Sequence, residues 1–508
     1  MISFQGDIYI KDGIISDLSP GAGYVRIISE GLDRRFENAW AYPGIVDTHG
    51  HIGALGARLT EPDLSQARSA ELSVGIVSDS GITRGDWIYA RGWNQELWHD
   101  NSFPDKYILD KKFGDSPAFF VRIDGHAAWV NSAALRLAGI SSETNSPPGG
   151  EILRDKNGRP TGILLDTAMD LVRRLIPDYA EAQIEEFYRA GLDACADAGL
   201  TEVHAMDVSP ERLELLKRLD ERGELPIRLQ CYIKAQEDEW RIARVEPFDG
   251  EMLSVRGLKF YADGALGSRG AAMIEPYSDA PGSSGLLLIN PDVLYTKALK
   301  GVEMGFDIAV HAIGDAANRM VLDVYHKIRR QIGFNSKNIL RIEHAQHVHP
   351  DDLPLFAEIG VIPSVHPMHC ITDAATMTRR RLGNRCDYAY PWKSFINAGV
   401  NPAGGSDFPI EPHNPLTGID AFVRRAPAGS NEAWYPEERL SRREALLAYT
   451  YWAHAAAGNS SRRGSIEKNM DADITILDKD IISCGNQEIN ETQALGTTAR
   501  GKLREKNN

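Results

Sequence analysis

Pro43-Gly44-Ile45-Val46-Asp47-Thr48-His49-Gly50-His51-Ile52 decides how the rest of the chain is read. A short β-branched run, typical of a buried strand, ends in a polar stretch that carries two imidazoles. At a strand end, residues i and i+2 point the same way, so His49 and His51 can reach one ion, and Asp47 could share that face. A His-x-His pair arises by chance at roughly 0.4 per chain for 14 histidines in 508 residues. The motif therefore gains its weight from the strands downstream of it.

Seven further apolar runs lie beyond it: Thr201–His204, Ile227–Tyr232, Leu258–Tyr261, Ile308–His311, Leu340–His344, Val361–Val365 and Pro402–Asp407. Segments with helical periodicity intervene, such as Ile184, Phe187, Tyr188, Gly191, Leu192, Cys195 and Met320, Val321, Val324, Tyr325, Ile328. Eight strands alternating with helices predict an α/β fold of the (β/α)8 TIM-barrel type, with chemistry at the carboxyl ends of the strands. Lys259, His311, His344 and Asp407 lie at or near such ends, as do His49 and His51. Imidazole and carboxylate are the donors that zinc and its neighbours prefer, so the six together predict a divalent-metal site.

Residues 1–42 and 460–508 carry short strands and turns, each too small for a core, and are expected to join in one discontinuous satellite domain flanking a barrel at 43–459. About 150 residues separate the first barrel strand from the second, far more than an ordinary βα connection. Residues 56–177 are therefore read as a large insertion, an inserted lid or substrate-side subdomain. His126 and Trp93 within it are expected to contact substrate.

The net charge of −15, with acids and bases interspersed, disfavours nucleic-acid and membrane-surface roles. Five cysteines without a CxxC pair suit free thiols in a reducing compartment. No signal peptide is evident at the N-terminus, and no apolar run approaches the roughly 18–20 residues of a membrane span. A cytoplasmic enzyme with a small-molecule substrate is expected, and self-association as a homo-oligomer stays open.

Lys259 sits in a run that should be buried, where an unpaired ammonium is costly. It is either carboxylated, its carbamate bridging two metals, or held in an ion pair with Asp263 or another acid. Asp407, after Gly404-Gly405-Ser406, has an Asx turn or helix cap as its simpler alternative. His204, His366 and His369 are read as pocket-wall residues. His99, His326, His347, His349, His413 and His454 are read as surface or hydrogen-bonded.

Several segments together resemble the metal-dependent amidohydrolase superfamily, in the branch that includes N-substituted formamide deformylase. They are PGIVDTHGH, RGWNQELW, DGHAAWVNSAAL, GGEILRDKNGRPTG, LKFYADGALGSRGA, VHAIGDAAN, RIEHAQ, AYPWKSFINAGV, GGSDFPIEPHNPL and GSIEKNMDADITIL. The resemblance implies that the satellite domain is a small β-sandwich. It also implies one or two divalent ions, usually zinc, with His49 and His51 on the first and His311 and His344 on the second. Carboxylated Lys259 would bridge them, and Asp407 would be ligand and proton shuttle. There are three departures: a short N-terminal strand region, from which a reduced sandwich is expected, and His366 in place of glutamine and Asp166 in place of glutamate, which are expected to affect the pocket wall and substrate choice. The expected reaction is hydrolysis of a non-peptide amide by metal-activated water. Ester, lactone or other C–O cleavage, isomerisation, and a metal-free scaffold are the alternatives, the last disfavoured by the complete ligand set.

Overall fold

The structure is a computed structural model and describes residues 3–80 and 83–506. Eight parallel strands form one sheet: β1 (Ile45–Gly50), β2 (Leu200–Val208), β3 (Arg228–Lys234), β4 (Leu253–Tyr261), β5 (Asp307–Ala312), β6 (Leu340–His344), β7 (Val361–Val365) and β8 (Ala403–Gly404). They lie in sequence order, each paired with the next. Their near-continuous burial, as in Ile45–Gly50 and Asp307–Ala312, is that of strands covered on both faces.

The ring closes where β1 meets the segment after β8. Asp407 N–H donates to the His49 carbonyl (2.8 Å), and His51 N–H to that of Phe408 (3.0 Å). Gly405 makes this approach possible, since a Cβ there would lie 2.8 Å from the His49 nitrogen. Asp47 accepts from the Ser406 N–H (3.0 Å) and hydroxyl (2.6 Å), and so fastens the last strand instead of sharing the imidazole face. Burial pushes its carboxyl up to about 6. The helix Asp315–Ile332 buries Met320, Val321, Val324, Tyr325 and Ile328, as its periodicity predicts.

Both chain ends contribute to a sandwich of two four-stranded sheets. One contains Gly6–Lys11, Ile14–Pro20, Tyr24–Ser29 and Leu32–Glu37, and the other Trp40–Pro43, Ile474–Leu477, Ala494–Ala499 and Lys502–Glu505. Ile8, Val25, Ile27, Ala41, Ile474 and Ile476 share one core. Barrel and sandwich belong to one compact unit, residues 1–52 and 192–508.

Gly53–Gly191 form a second unit around a six-stranded mixed sheet. Alternation along its strands builds two cores: Phe120, Ala127 and Trp129 face one, while Phe119, Ala128 and Val130 face the other. Trp93, expected to touch substrate, is instead fully buried among Trp98, Phe103 and Trp129, and its indole N–H donates to the Phe120 carbonyl (2.8 Å). It is a core residue because its strand turns it into the aromatic face. His126 is exposed and pairs with Asp166 at 2.8 Å. No described helix is long and apolar enough to cross a membrane.

Candidate metal centre

Strand geometry delivers the side chains. The end of β1 presents His49 and His51 on one face, and the chain beyond β8 brings Asp407 beside them. One donor atom from each of the three falls within 4.8 Å of the others. His51 Nε2 lies 3.2 Å and His49 Nε2 3.6 Å from Asp407 Oδ1. The other nitrogen of His49, Nδ1, is taken by Glu343 Oε2 at 2.7 Å, which fixes the ring and leaves Nε2 for the cluster.

β6 ends in His344, whose ring lies 5.4 Å from that of His49 and 4.3 Å from that of His311 at the end of β5. His344 forms one donor group with His49 and His366, and another with His369 and Asp407. Lys259 on β4 is fully buried with its Nζ over the Tyr261 ring (3.8 Å). Its nearest acid is Asp207 at 3.9 Å, and Asp207 also lies 3.8 Å from His51 Nδ1 and accepts the Tyr261 hydroxyl. Asp263, expected as the lysine's ion-pair partner, is instead committed to the backbone N–H groups of Ala272, Ile313 and Gly314.

His49, His51, Lys259, His311, His344 and Asp407 all line one cavity of about 430 Å³. Its remaining wall includes apolar Leu266, Ile313, Met377 and Ile410, with carboxylates at Asp373 and Glu411. Asp207, His344 and Asp407 take left-handed backbone angles (φ 57°, 70° and 60°), which side chains other than glycine rarely adopt and which cluster at functional sites.

The protonation states suit cation binding. Burial pushes His311 down to about 3 and His366 to about 4, and it holds His49 and His344 well below the ordinary histidine value. Burial acts to raise Asp407, but the His51 hydrogen bond and neighbouring imidazoles outweigh it and keep the carboxylate ionised. Neutral imidazole and ionised carboxylate are the forms that ligate. Several donors have no hydrogen-bond partner among the described residues: Lys259 Nζ, His311 Nε2, His344 Nδ1, His369 Nε2 and both nitrogens of His366. Buried polar atoms are nearly always paired, and a divalent cation held by nitrogen and oxygen would satisfy these.

Four residues near the cluster are not marked by the sequence as ligands or their partners. His366 and His369 are expected only on the wall. Asp207 escapes notice because the apolar run stops at His204, four residues before the observed end of its strand. Glu343 is hidden beside His344, and only its contact with His49 reveals it. His204 is sealed inside the barrel against Arg341 (2.8 Å) instead of lining the pocket. His347 and His454 are likewise buried, because the chain around them packs onto the barrel and not toward solvent.

A histidine-rich centre at the carboxyl ends of a (β/α)8 barrel is the arrangement of a metal-dependent barrel enzyme. Residues 37–504 match the amidohydrolase family, and the chain belongs to it. It is 31% identical to a putative amidohydrolase, YtcJ, of Bacillus subtilis over 98% of this chain and 95% of that protein. It is 28% identical to an N-substituted formamide deformylase of Arthrobacter pascens over 91% of this chain and 88% of that one. The crystal structure of an uncharacterized metal-dependent hydrolase from Pyrococcus horikoshii superposes with a TM-score of 0.77 at 25% identity, covering 96% of this chain and 99% of that one.

Proposed function

We propose that this chain is a metal-dependent hydrolase that cleaves a non-peptide carbon–nitrogen bond of amide type. The observation that carries the proposal is the cluster of imidazoles around Asp407 at the barrel mouth, several of whose buried nitrogens have no hydrogen-bond partner among the described residues. The Arthrobacter pascens relative, named for deformylation of N-substituted formamides, supports the amide class. His49, His51 and Asp407 would hold a first ion, most simply zinc, and His311 and His344 a second, with carboxylated Lys259 between them. Such ions supply Lewis acidity and lower the pKa of bound water from 15.7 toward ~7.

The chain's own groups do the rest. Asp407, hydrogen-bonded to His51, accepts the proton of the attacking water and returns it to the departing amine, which leaves only when protonated. Glu343 orients His49. Apolar Leu266, Ile313, Met377 and Ile410 favour substrates with hydrocarbon substituents, and the carboxylates of Asp373 and Glu411 disfavour anionic ones.

The test combines metal analysis of purified protein with a screen of N-acyl and N-formyl amines, with esters and lactones alongside. Zinc-dependent release of amine supports the proposal, and turnover confined to esters or lactones overturns the bond assignment. Less than about 0.2 ion per chain, with no activity restored by zinc or manganese, removes the metal mechanism. Uptake of isotopically labelled bicarbonate at Lys259 tests the carbamate separately.

A further inference from the structure

His366, immediately beyond β7, has the position of a metal ligand and not of a wall residue. It is buried, its ring lies 4.7 Å from that of His49 and 4.5 Å from that of His344, and it meets both nearly edge-on, at 73° and 86°. One nitrogen from each of the three rings falls within 4.8 Å of the other two. Nitrogens sharing a tetrahedral zinc lie about 3.3 Å apart, so from within 4.8 Å the three would draw together by up to about 1.5 Å to hold one ion.

We propose that His366 is a direct metal ligand, completing with His49 and His344 a three-imidazole site. Three observations converge on it. Neither nitrogen of His366 has a hydrogen-bond partner among the described residues, and the same holds for His344 Nδ1. Glu343 occupies His49 Nδ1, which leaves Nε2 as that ring's free nitrogen. The three imidazoles do not hydrogen-bond to one another among the described residues, and a cation would satisfy all of them together. Three histidines leave the fourth zinc position open to water or substrate. Because His49 has one free nitrogen, the three-imidazole site and the His49–His51–Asp407 group share an ion or compete for one, and His49 and His344 on a single ion would replace their division between two.

This inference rests on the reading of the pocket as a metal centre, and the experiment separates the two. Zinc content and affinity are measured by chelator competition for the full-length wild type and His366→Gln, whose amide is similar in size but a poor zinc donor. The expected result is a fall in affinity of more than about a hundredfold, beyond what loss of an outer-shell partner causes. A crystal structure of the zinc-loaded wild type, independent of how the variant folds, should place a His366 nitrogen about 2.0–2.1 Å from an ion. Equal affinity in a folded variant, or a ring nitrogen out of coordination range in the crystal, overturns the inference and leaves the centre intact. A wild type that binds no zinc overturns both.

Discussion

The barrel interior and the core of the Gly53–Gly191 unit solve the problem of burial in opposite ways. The second unit packs an aromatic core: Trp93, Trp98, Phe120 and Trp129 meet edge to face, and the indole N–H groups of all three tryptophans reach backbone carbonyls. The barrel instead buries a run of charges. From His49 it passes through Glu343 to Arg341, whose guanidinium also bonds His204, Tyr232 and the Thr48 carbonyl. It continues by His204 to Glu202, then Arg463, Asp471 and Asp473, and ends at Arg228. Such paired charges add little net stability over apolar packing, but losing one member is expensive. Their effect here is to hold one catalytic-end imidazole in a single orientation. At the mouth, Lys259 Nζ, His311 Nε2, His344 Nδ1, His369 Nε2 and both nitrogens of His366 lack a hydrogen-bond partner among the described residues, and that is where we place the chemistry. Perturbed groups gathered in a cleft mark function better than burial alone.

The largest effect that would test this contrast is at the mouth. Asp407→Asn should keep the fold yet lower kcat by about 10²–10⁴, the usual contribution of a positioned acid–base group. Full activity with unchanged circular dichroism would take the proton-shuttle role away from Asp407.

One step below the mouth, Glu343→Gln should do two things. Arg341 would lose its carboxylate while fully buried, which costs about 3–5 kcal/mol in denaturant unfolding. The His49 ring would lose its orienting acceptor, weakening zinc binding by about 10–100-fold. A loss of stability without any change in zinc affinity would mean that the charge run serves folding alone.

The expected order of these effects is only partly legible in the sequence. All eight barrel strands appear as apolar runs because parallel strands are covered on both faces, and the pattern of hydrophobicity records that directly. Strand ends are recorded poorly. Only an extension of Thr201–His204 to the observed Val208 puts Asp207 at the mouth. The final run, read through Asp407, pairs only at Ala403–Gly404, because Asp47 captures Ser406 and bends the chain toward β1. Glu343 and His366 are not legible as partners of His49, since both contacts join residues about 300 apart. Trp93 misleads because an aromatic residue in a polar motif looks the same in sequence whether it faces a pocket or a core.

Acid should separate the two regions more gently. Burial holds His204 at about 4 and His347 at about 3, below the ~6.5 of an unfolded histidine. Since the unfolded chain binds these protons first, their contribution is complete above pH ~6.5 and is lost as pH falls toward ~4. In the second unit, His99 and His126 are exposed. Hydrogen exchange of the metal-free protein between pH 7 and 5, corrected for intrinsic rates, should show the barrel strands losing protection before the Phe119–Val130 strands. Simultaneous loss would show that the buried imidazoles do not set the acid limit.

The smallest effect belongs to His126. Its side chain is 74% exposed and its Asp166 partner 53% exposed, so the pair is screened by solvent and its removal should cost no more than about 0.5 kcal/mol. His126→Ala should therefore melt with the wild type. That indifference makes it a clean probe, because a change in KM cannot then be blamed on unfolding. A raised KM with unchanged kcat would mean that the imidazole contributes uniform binding of substrate, as expected from its place in the DGHAAW motif. An unchanged KM would reduce it to a surface ion pair, leaving specificity to the cavity wall around Met377, Ile410 and Glu411.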